Sequence, residues 1–357
     1  MAPFCAQLAQ RPRGWRRVKV ALVCPYDIGR FGGVQNQVIL MAASLEARGH
    51  QAWIVAPGEA DVPLRSLGSS RTWSFNDSAA PIKLSPTVAP RLRRAVADAD
   101  VVHVHEPLMP LVSIAARWAG RPLIGTFHAD PSPRVRALYR RFAPLRWHLR
   151  GFAALAAVSE TARSAVGGLG RIDLIPNGVA TVGLPVHERI PGRIAFVGRD
   201  DPRKGLDVAM AALPAIRAKV AEAHLAVITP DSVAPADGVE VHRGIDDAAK
   251  ADLLATSQVF VGPNRRGESF GLTVAEAMAA GAGCVVSDIP AFAAVVGDAA
   301  IRVTPDSPSE LAEAVINLLV DDAAREELSR KAVERAGEFS IERTVDAYLS
   351  MYQAAAT

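Results

Sequence analysis

Long apolar runs are missing: no stretch of about 18 apolar residues occurs, which predicts no transmembrane helix. Cysteine is scarce. Cys5, Cys24 and Cys284 are odd in number, far apart and without metal-ligand spacing, which points to a reducing compartment. The fingerprint Gly-x-Gly-x-x-Gly is absent, which disfavours NAD. No nucleic-acid-binding motif and no repeat at solenoid spacing can be recognised. Residues 1–17 lack the order of a signal peptide, because Arg11, Arg13, Arg16 and Arg17 stand where an apolar core would follow. They read as a disordered tail or an early start codon. What remains is a chain of 357 residues, 50% hydrophobic and 22% charged, as in a soluble globular protein with two domains. The net charge of +3 informs only where it clusters.

The first half opens with a buried strand, Val18 to Cys24, then Pro25-Tyr26. Gly32-Gly33 begins a helix whose Val34, Val38, Met41 and Leu45 recur at helical spacing, and Gly49-His50 stops it before the strand 52–56. Strand, glycine turn, helix and strand make a phosphate-binding βαβ unit, although a Gly-Gly pair also serves in plain tight turns. Residues 58–90 read as loops and short strands, and a helix is expected from Arg91 through Ala99. In the strand 101–105, His103 and His105 share one face; packing is favoured over metal binding because no third ligand follows at a sensible spacing. The strand 122–128 brings His128 to its carboxyl edge, where doubly wound sheets bind ligands. From Pro131 to Ala157 no acidic residue interrupts Arg134, Arg136, Arg140, Arg141, Arg146, His148 and Arg150, which are interleaved with Leu138, Tyr139, Phe142 and Trp147. Such a segment fits an anionic membrane surface, and equally a cleft-rim helix with arginines that are solvated or bind phosphate.

After a linker, 181–192, a second Rossmann-like unit starts at the strand 193–197. Arg199 and Lys204 leave its carboxyl edge and together can hold a diphosphate. The stretch Gly267-Glu268-Ser269-Phe270-Gly271-Leu272-Thr273-Val274-Ala275-Glu276 then turns through glycines into a short apolar helix that Gly281 ends. Free N–H groups at its start favour an anion, and Glu268 and Glu276 are placed to accept hydrogen bonds from hydroxyls. A buried helix with a glycine entry is the plainer alternative.

Glu268 and Glu276, with seven residues between them and followed by Ala-Met-Ala-Ala-Gly, resemble the signature of retaining glycosyltransferases of family 4. Thr126-Phe127-His128 and Ile175-Pro176-Asn177-Gly178-Val179 are similar to further stretches of that family, and Cys24-Pro25-Tyr26 with Gly32-Gly33-Val34-Gln35 resembles the bacterial phosphatidylinositol mannosyltransferases more specifically. The resemblance spans about residues 18–353. It implies an α/β fold of two Rossmann-like domains facing across a cleft (GT-B): residues 18–182 with a terminal helix within 341–357 for the acceptor, and 183–340 for the nucleotide sugar. It further implies catalytic roles for His128, Arg199, Lys204 and Glu268, and donor contacts from Gly33, Arg199, Lys204, Glu268, Phe270, Gly271, Leu272 and Glu276. Tyr26 and Gln35 match acceptor positions near an inositol headgroup. No tightly bound cofactor and no metal ligands are expected, and a divalent cation is left open. The implied donor is a nucleotide sugar, GDP-mannose, and the implied acceptor a lipid or polyol such as phosphatidylinositol. The implied setting is cytoplasmic, or peripheral on the inner face of the plasma membrane through Arg134–Arg150, with no nucleic acid. The chain departs from the family at Leu108, Ala129, Ala180 and Thr229-Pro230-Asp231, where the family has Asn, Thr, an acidic residue and Gly-x-Gly. The departures keep two alternatives open: a UDP-sugar-dependent enzyme with another lipid or small acceptor, and a non-catalytic sugar-nucleotide or membrane-binding protein.

Overall fold

The computed structural model describes residues 16–356, apart from 31, 76–77, 83–86 and 185–186, and leaves aside the side chains of 71–75, 78–82 and 140. The tail expected over 1–17 therefore lies outside the described residues, except for Arg16 and Arg17. The chain divides into two units, one running to Gly178 and resuming at Ile341, the other Val179–Ser340.

The first unit is built on a parallel sheet: β1 (Lys19–Val23), β2 (Gln51–Ala56), β3 (Leu64–Ser66), β6 (Val101–His105), β7 (Leu123–Phe127), β8 (Ala154–Ala157) and β9 (Asp173–Leu174), in the order β3-β2-β1-β6-β7-β8-β9. β4 (Arg71–Phe75) and β5 (Ser78–Ile82) pair apart from it as an antiparallel ribbon. The strands are apolar on both faces, as a parallel sheet covered by helices requires. Val20, Leu22 and Ile54 meet Val38, Met41 and Leu45 of the Gly33–Ala47 helix together with Val345, Tyr348 and Tyr352 of the C-terminal helix Ile341–Ala356. Ala21, Val23, Trp53 and Val104 point the other way, onto Val88, Leu92 and Val112. The C-terminal helix is tied down by Arg48, which reaches Asp346 at 2.5 Å and the Glu342 carbonyl at 3.0 Å. One expectation shifts: the helix read as 91–99 is Val88–Ala95. Pro90 falls in its first turn, where proline is tolerated, and 96–98 form a turn.

The second unit has six parallel strands: β10 (Ile190–Val197), β11 (His224–Ile228), β12 (Val239–His242), β13 (Ser257–Gly262), β14 (Gly283–Ser287) and β15 (Ile301–Val303), in the order β12-β11-β10-β13-β14-β15. Phe196, Val227, Val261 and Val285 pack against Leu206, Leu213 and Ile216 of the Leu206–Arg217 helix and against Leu311 and Val315 of the Pro308–Val320 helix. In each sheet the order reverses beside the first strand, between β1 and β6 and between β10 and β13. Ligands bind doubly wound sheets outside the carboxyl ends of the strands at that switch point.

Candidate active site

In the second unit, the switch point is bordered by the loops that follow β10 and β13. The first loop, Arg199 to Gly205, is folded on itself by Asp201, whose carboxylate accepts from the Arg203 backbone N–H at 2.9 Å and from its Nε at 3.0 Å. Gly205 has φ +71°, and a Cβ there would stand 2.1 Å from the Pro263 carbonyl oxygen. Glycine is what lets this loop lie against the segment after β13. Arg265 fastens the two from outside: its N–H donates to the Arg203 carbonyl at 2.8 Å, and its guanidinium bridges Asp207 at 2.7 Å and Asp306 at 2.7 Å.

The consequence is a compact polar cluster. Lys204 Nζ stands 2.8 Å from Glu268 Oε2, and Asn264 Nδ2 donates to the same oxygen at 3.1 Å. Glu268 Oε1 accepts from the Gly271 N–H at 3.2 Å. Burial works to raise the Glu268 pKa, but the Lys204 charge and the N–H groups of Gly271 and Phe270 outweigh it, so the carboxyl is held below its usual range. Arg199 follows at the carboxyl end of β10, half-buried.

One expectation needs correction here. The Gly271 N–H is not free for an anion: it is taken by Glu268. The Phe270 side chain is buried and stands edge-on to Phe339, with ring centroids 5.6 Å apart. Leu272 opens the helix Leu272–Ala279, and Glu276 lies one turn further along. Glu276 Oε1 accepts from Lys250 Nζ at 3.0 Å, whereas Oε2 is buried without a hydrogen-bond partner among the described residues. Lys250, on the Asp247–Thr256 helix, also reaches Asp247 at 3.1 Å. Its burial favours the neutral amine, but the two carboxylates more than offset this and raise its pKa. Where the family has Gly-x-Gly, the Asp231 carboxylate accepts from the Asp200 N–H at 2.8 Å, so an acid stands at the carboxyl end of β11.

In the first unit, β1 leads into Tyr26 and Asp27. The Gln35 amide donates to the Asp27 carbonyl at 3.3 Å and folds over Gly32, where a Cβ would sit 2.3 Å from its oxygen. Gln35 is thus buried and holds the turn before Gly33, which opens the helix. Burial raises the Tyr26 pKa well above its ordinary value, and the Glu106 charge adds to the effect.

The histidines form a stack. His103 and His105 have ring centroids 4.3 Å apart, and His105 and His128 5.1 Å apart. His103 is bonded to Tyr352 Oη at 2.6 Å and to Thr126 Oγ1 at 2.7 Å, and His105 Nδ1 meets His128 Nε2 at 2.8 Å. Burial lowers His103 and His128 to about 3 and His105 well below its ordinary value, so all three are neutral. Packing accounts for His103 and His105, as the spacing suggested. No group of three His, Cys, Asp or Glu stands together to hold a metal among the described residues.

The basic segment forms two helices, Pro133–Arg141 and Ala143–Leu149. Arg134, Arg141, Arg146 and Arg150 are exposed, as are Leu138, Phe142 and Trp147. His148 departs from the expectation: it is buried on the Pro107 carbonyl at 3.0 Å, and burial lowers its pKa. Arg136 is paired with Asp130, and the Arg140 side chain lies outside the described residues. Trp118, 59% exposed, extends the surface, and Arg117 lies 5.2 Å over the Trp147 ring. No helix among the described residues is long and apolar enough to cross a membrane.

Two parallel-sheet α/β units, each with polar side chains gathered at its switch point, define the GT-B class of glycosyltransferases. The fold matches a glycosyltransferase from Rickettsia africae (TM-score 0.72, 17% identity, 96% of this chain and 99% of that one). It also matches Anabaena HepE in complex with UDP-glucose (TM-score 0.73, 18% identity, 95% and 100%). Residues 31–182 match the family model "Glycosyltransferase Family 4" and residues 191–321 the model "Glycosyl transferases group 1". The chain is 31% identical to a phosphatidyl-myo-inositol mannosyltransferase of Mycobacterium leprae, over 95% of this chain and 98% of that relative. It is 34% identical to the one of Propionibacterium freudenreichii, over 79% and 80%. The chain belongs to glycosyltransferase family 4 and is a glycosyltransferase.

Lys250, Asn264 and Glu106 escaped the sequence reading. A lysine one helix away from Glu276 carries no signal in spacing. Glu106 had a weak one: an acid directly after an apolar strand, at the switch point.

Proposed function

We propose that this glycosyltransferase moves a mannosyl unit from GDP-mannose to a lipid-borne polyol, phosphatidylinositol or a close analogue, with retention of configuration. The observation that carries the reading is the Lys204–Glu268–Asn264 cluster, together with the Glu276 oxygen that has no hydrogen-bond partner among the described residues. A sugar diphosphate needs cations at its phosphates and acceptors for its hydroxyls, and this arrangement suits both.

In this reading Lys204 and Arg199 offset the charge that grows on the departing diphosphate. Glu268 accepts from hydroxyls of the sugar, and Glu276 Oε2 from the ribose. His128, neutral, contributes beside the sugar, and Tyr26 beside the acceptor. The bond from the anomeric carbon to the phosphate oxygen breaks, the bond to the acceptor oxygen forms on the same face, and the leaving phosphate takes the acceptor's proton. No resident cofactor enters the reaction. The mannosyltransferase names of the relatives support the donor sugar and the inositol lipid. The exposed arginines and aromatic rings of 134–150 support docking on the anionic inner face of the plasma membrane.

The test is a thermal-shift and hydrolysis screen against GDP-mannose, GDP, UDP-glucose and UDP, with and without a chelator of divalent cations. Ligands that bind the folded state raise its melting temperature. Stabilisation by the GDP pair alone is expected. Stabilisation by the UDP pair alone refutes the donor and moves the reading to a UDP-sugar enzyme, and no shift with any of the four refutes the nucleotide site. Loss of turnover on chelation would add a divalent cation.

A further inference from the structure

β6 ends at His105 and β7 at Phe127, so the parallel ladder stops there. The N–H groups of His128 and Ala129 must then find acceptors elsewhere. Glu106 supplies one. Its Oε1 accepts from the His128 N–H at 2.7 Å and from the Ala129 N–H at 2.6 Å. Its own N–H donates to the Thr126 carbonyl at 2.8 Å, and its carbonyl accepts from Met109 at 3.0 Å.

Two costs accompany these bonds. Glu106 sits at φ +54°, a left-handed conformation that residues other than glycine rarely adopt. Its carboxylate is also buried, with the residue 5% exposed, and burial raises its pKa to about 7 against the pull of the two N–H groups. A turn needing only closure would be met by a glycine with a hydroxyl or amide neighbour. Backbone strain of this kind persists only where the surrounding structure holds it, and it clusters at functional sites.

What it holds is His128, and the ring is fixed as well. His105 Nδ1 and His128 Nε2 are 2.8 Å apart, and since both rings are neutral, one donates and the other accepts. His105 is backed by its stack on His103, which Tyr352 and Thr126 anchor. Asn177 is a further polar neighbour of His128.

We infer that Glu106 and His105 are positioning residues for His128: Glu106 fixes its backbone at the end of β7, and His105 fixes the orientation and tautomer of its ring. The kinetic consequence rests on the role of His128 proposed above; the positioning itself does not.

The test uses the full chain with ¹⁵N-labelled histidine, whose ring resonances report tautomer and hydrogen bonding, alongside turnover. Glu106→Ala is expected to shift the His128 ring signals and to lower kcat by about tenfold or more, with the donor KM changed by less than about threefold. Glu106→Gln keeps an oxygen for both N–H groups and is expected to restore signals and rate. His105→Leu, the second variant should Glu106→Ala fail to fold, is expected to release the ring into a mixture of tautomers. Unchanged His128 signals in whichever of Glu106→Ala and His105→Leu folds would overturn the inference, whatever the activity. His128→Ala is assayed in parallel. Full turnover there would remove His128 from the reaction, and the ring signals would still decide the positioning.

Discussion

Acid should loosen the first unit through its buried histidines. His103 and His128 are held neutral with pKa values near 3, against about 6.5 for an unfolded chain. Below pH 6.5 the unfolded chain binds protons that the folded one refuses, so stability is present above that pH and lost as pH falls. At pH 5 the linkage relation makes the loss about 2 kcal/mol for each of the two, and His105 acts in the same direction. Glu106 opposes them. Its folded pKa is raised to about 7, so the folded state binds a proton first, and stability rises as pH falls through 7 toward 4.5. That returns about 2–3 kcal/mol by pH 5, so the net loss there is on the order of a few kcal/mol and grows toward pH 4. The assay is convenient because Trp15, Trp53, Trp73, Trp118 and Trp147, all of the tryptophans, precede Gly178. Urea titrations followed by tryptophan fluorescence at pH 8, 6, 5 and 4 therefore report on the first unit. His103→Gln isolates the cause: between pH 6 and 4 its stability should fall less steeply than that of the native sequence by about 1.4 kcal/mol per pH unit. Equal slopes for the two proteins would refute the reasoning.

Lys204→Ala should lose most turnover, by about 10²–10³-fold, since it removes the cation, held on Glu268, that the proposed function sets against the departing diphosphate; unchanged activity removes Lys204 from that site. The surface of Arg134, Arg141, Arg146, Arg150, Trp118 and Trp147 should bind anionic vesicles with a shift in tryptophan emission that fades as salt is raised. Equal binding to neutral vesicles, or none, would sink the membrane reading.

The parallel sheets were legible because apolar runs such as 18–24 and 193–197 alternate with helical patterns, and each strand's carboxyl edge could be marked by a glycine, proline or histidine. His128, Arg199, Lys204 and Glu268 stood out for that reason. What could not be read depends on backbone angles and on helices meeting across the fold. Glu106 needed φ +54° to turn its carboxylate onto β7, and nothing in His-Glu-Pro announces that angle. Lys250 reaches Glu276 because two helices lie side by side, 26 residues apart in sequence. His148 reads in sequence like its basic neighbours, but it occupies the inward face of a two-turn helix with Leu149, where the Pro107 carbonyl meets it.

The same limit applies to charge. The sequence offers Lys204 as a cation for a diphosphate and Gly271 as a free donor, yet both are engaged by one carboxylate. The pairing has a physical reason. A lysine partly withdrawn from water, aimed at a place where a ligand is to arrive, is costly without a counter-charge, and so is the carboxylate. Holding each with the other keeps both oriented at low cost. In the proposed function, a diphosphate would therefore not meet a bare cation: it would compete with Glu268 for Lys204, and the affinity gained would be smaller than the Coulomb energy of one new pair. Lys250 and Glu276 repeat the device, with one difference: Glu276 keeps a second oxygen without a partner among the described residues. In that site the unsatisfied acceptor, rather than the paired cation, is the group with most to gain from a ligand's hydroxyl, which is why Glu276 Oε2 weighs more in the proposal than the number of charges around it.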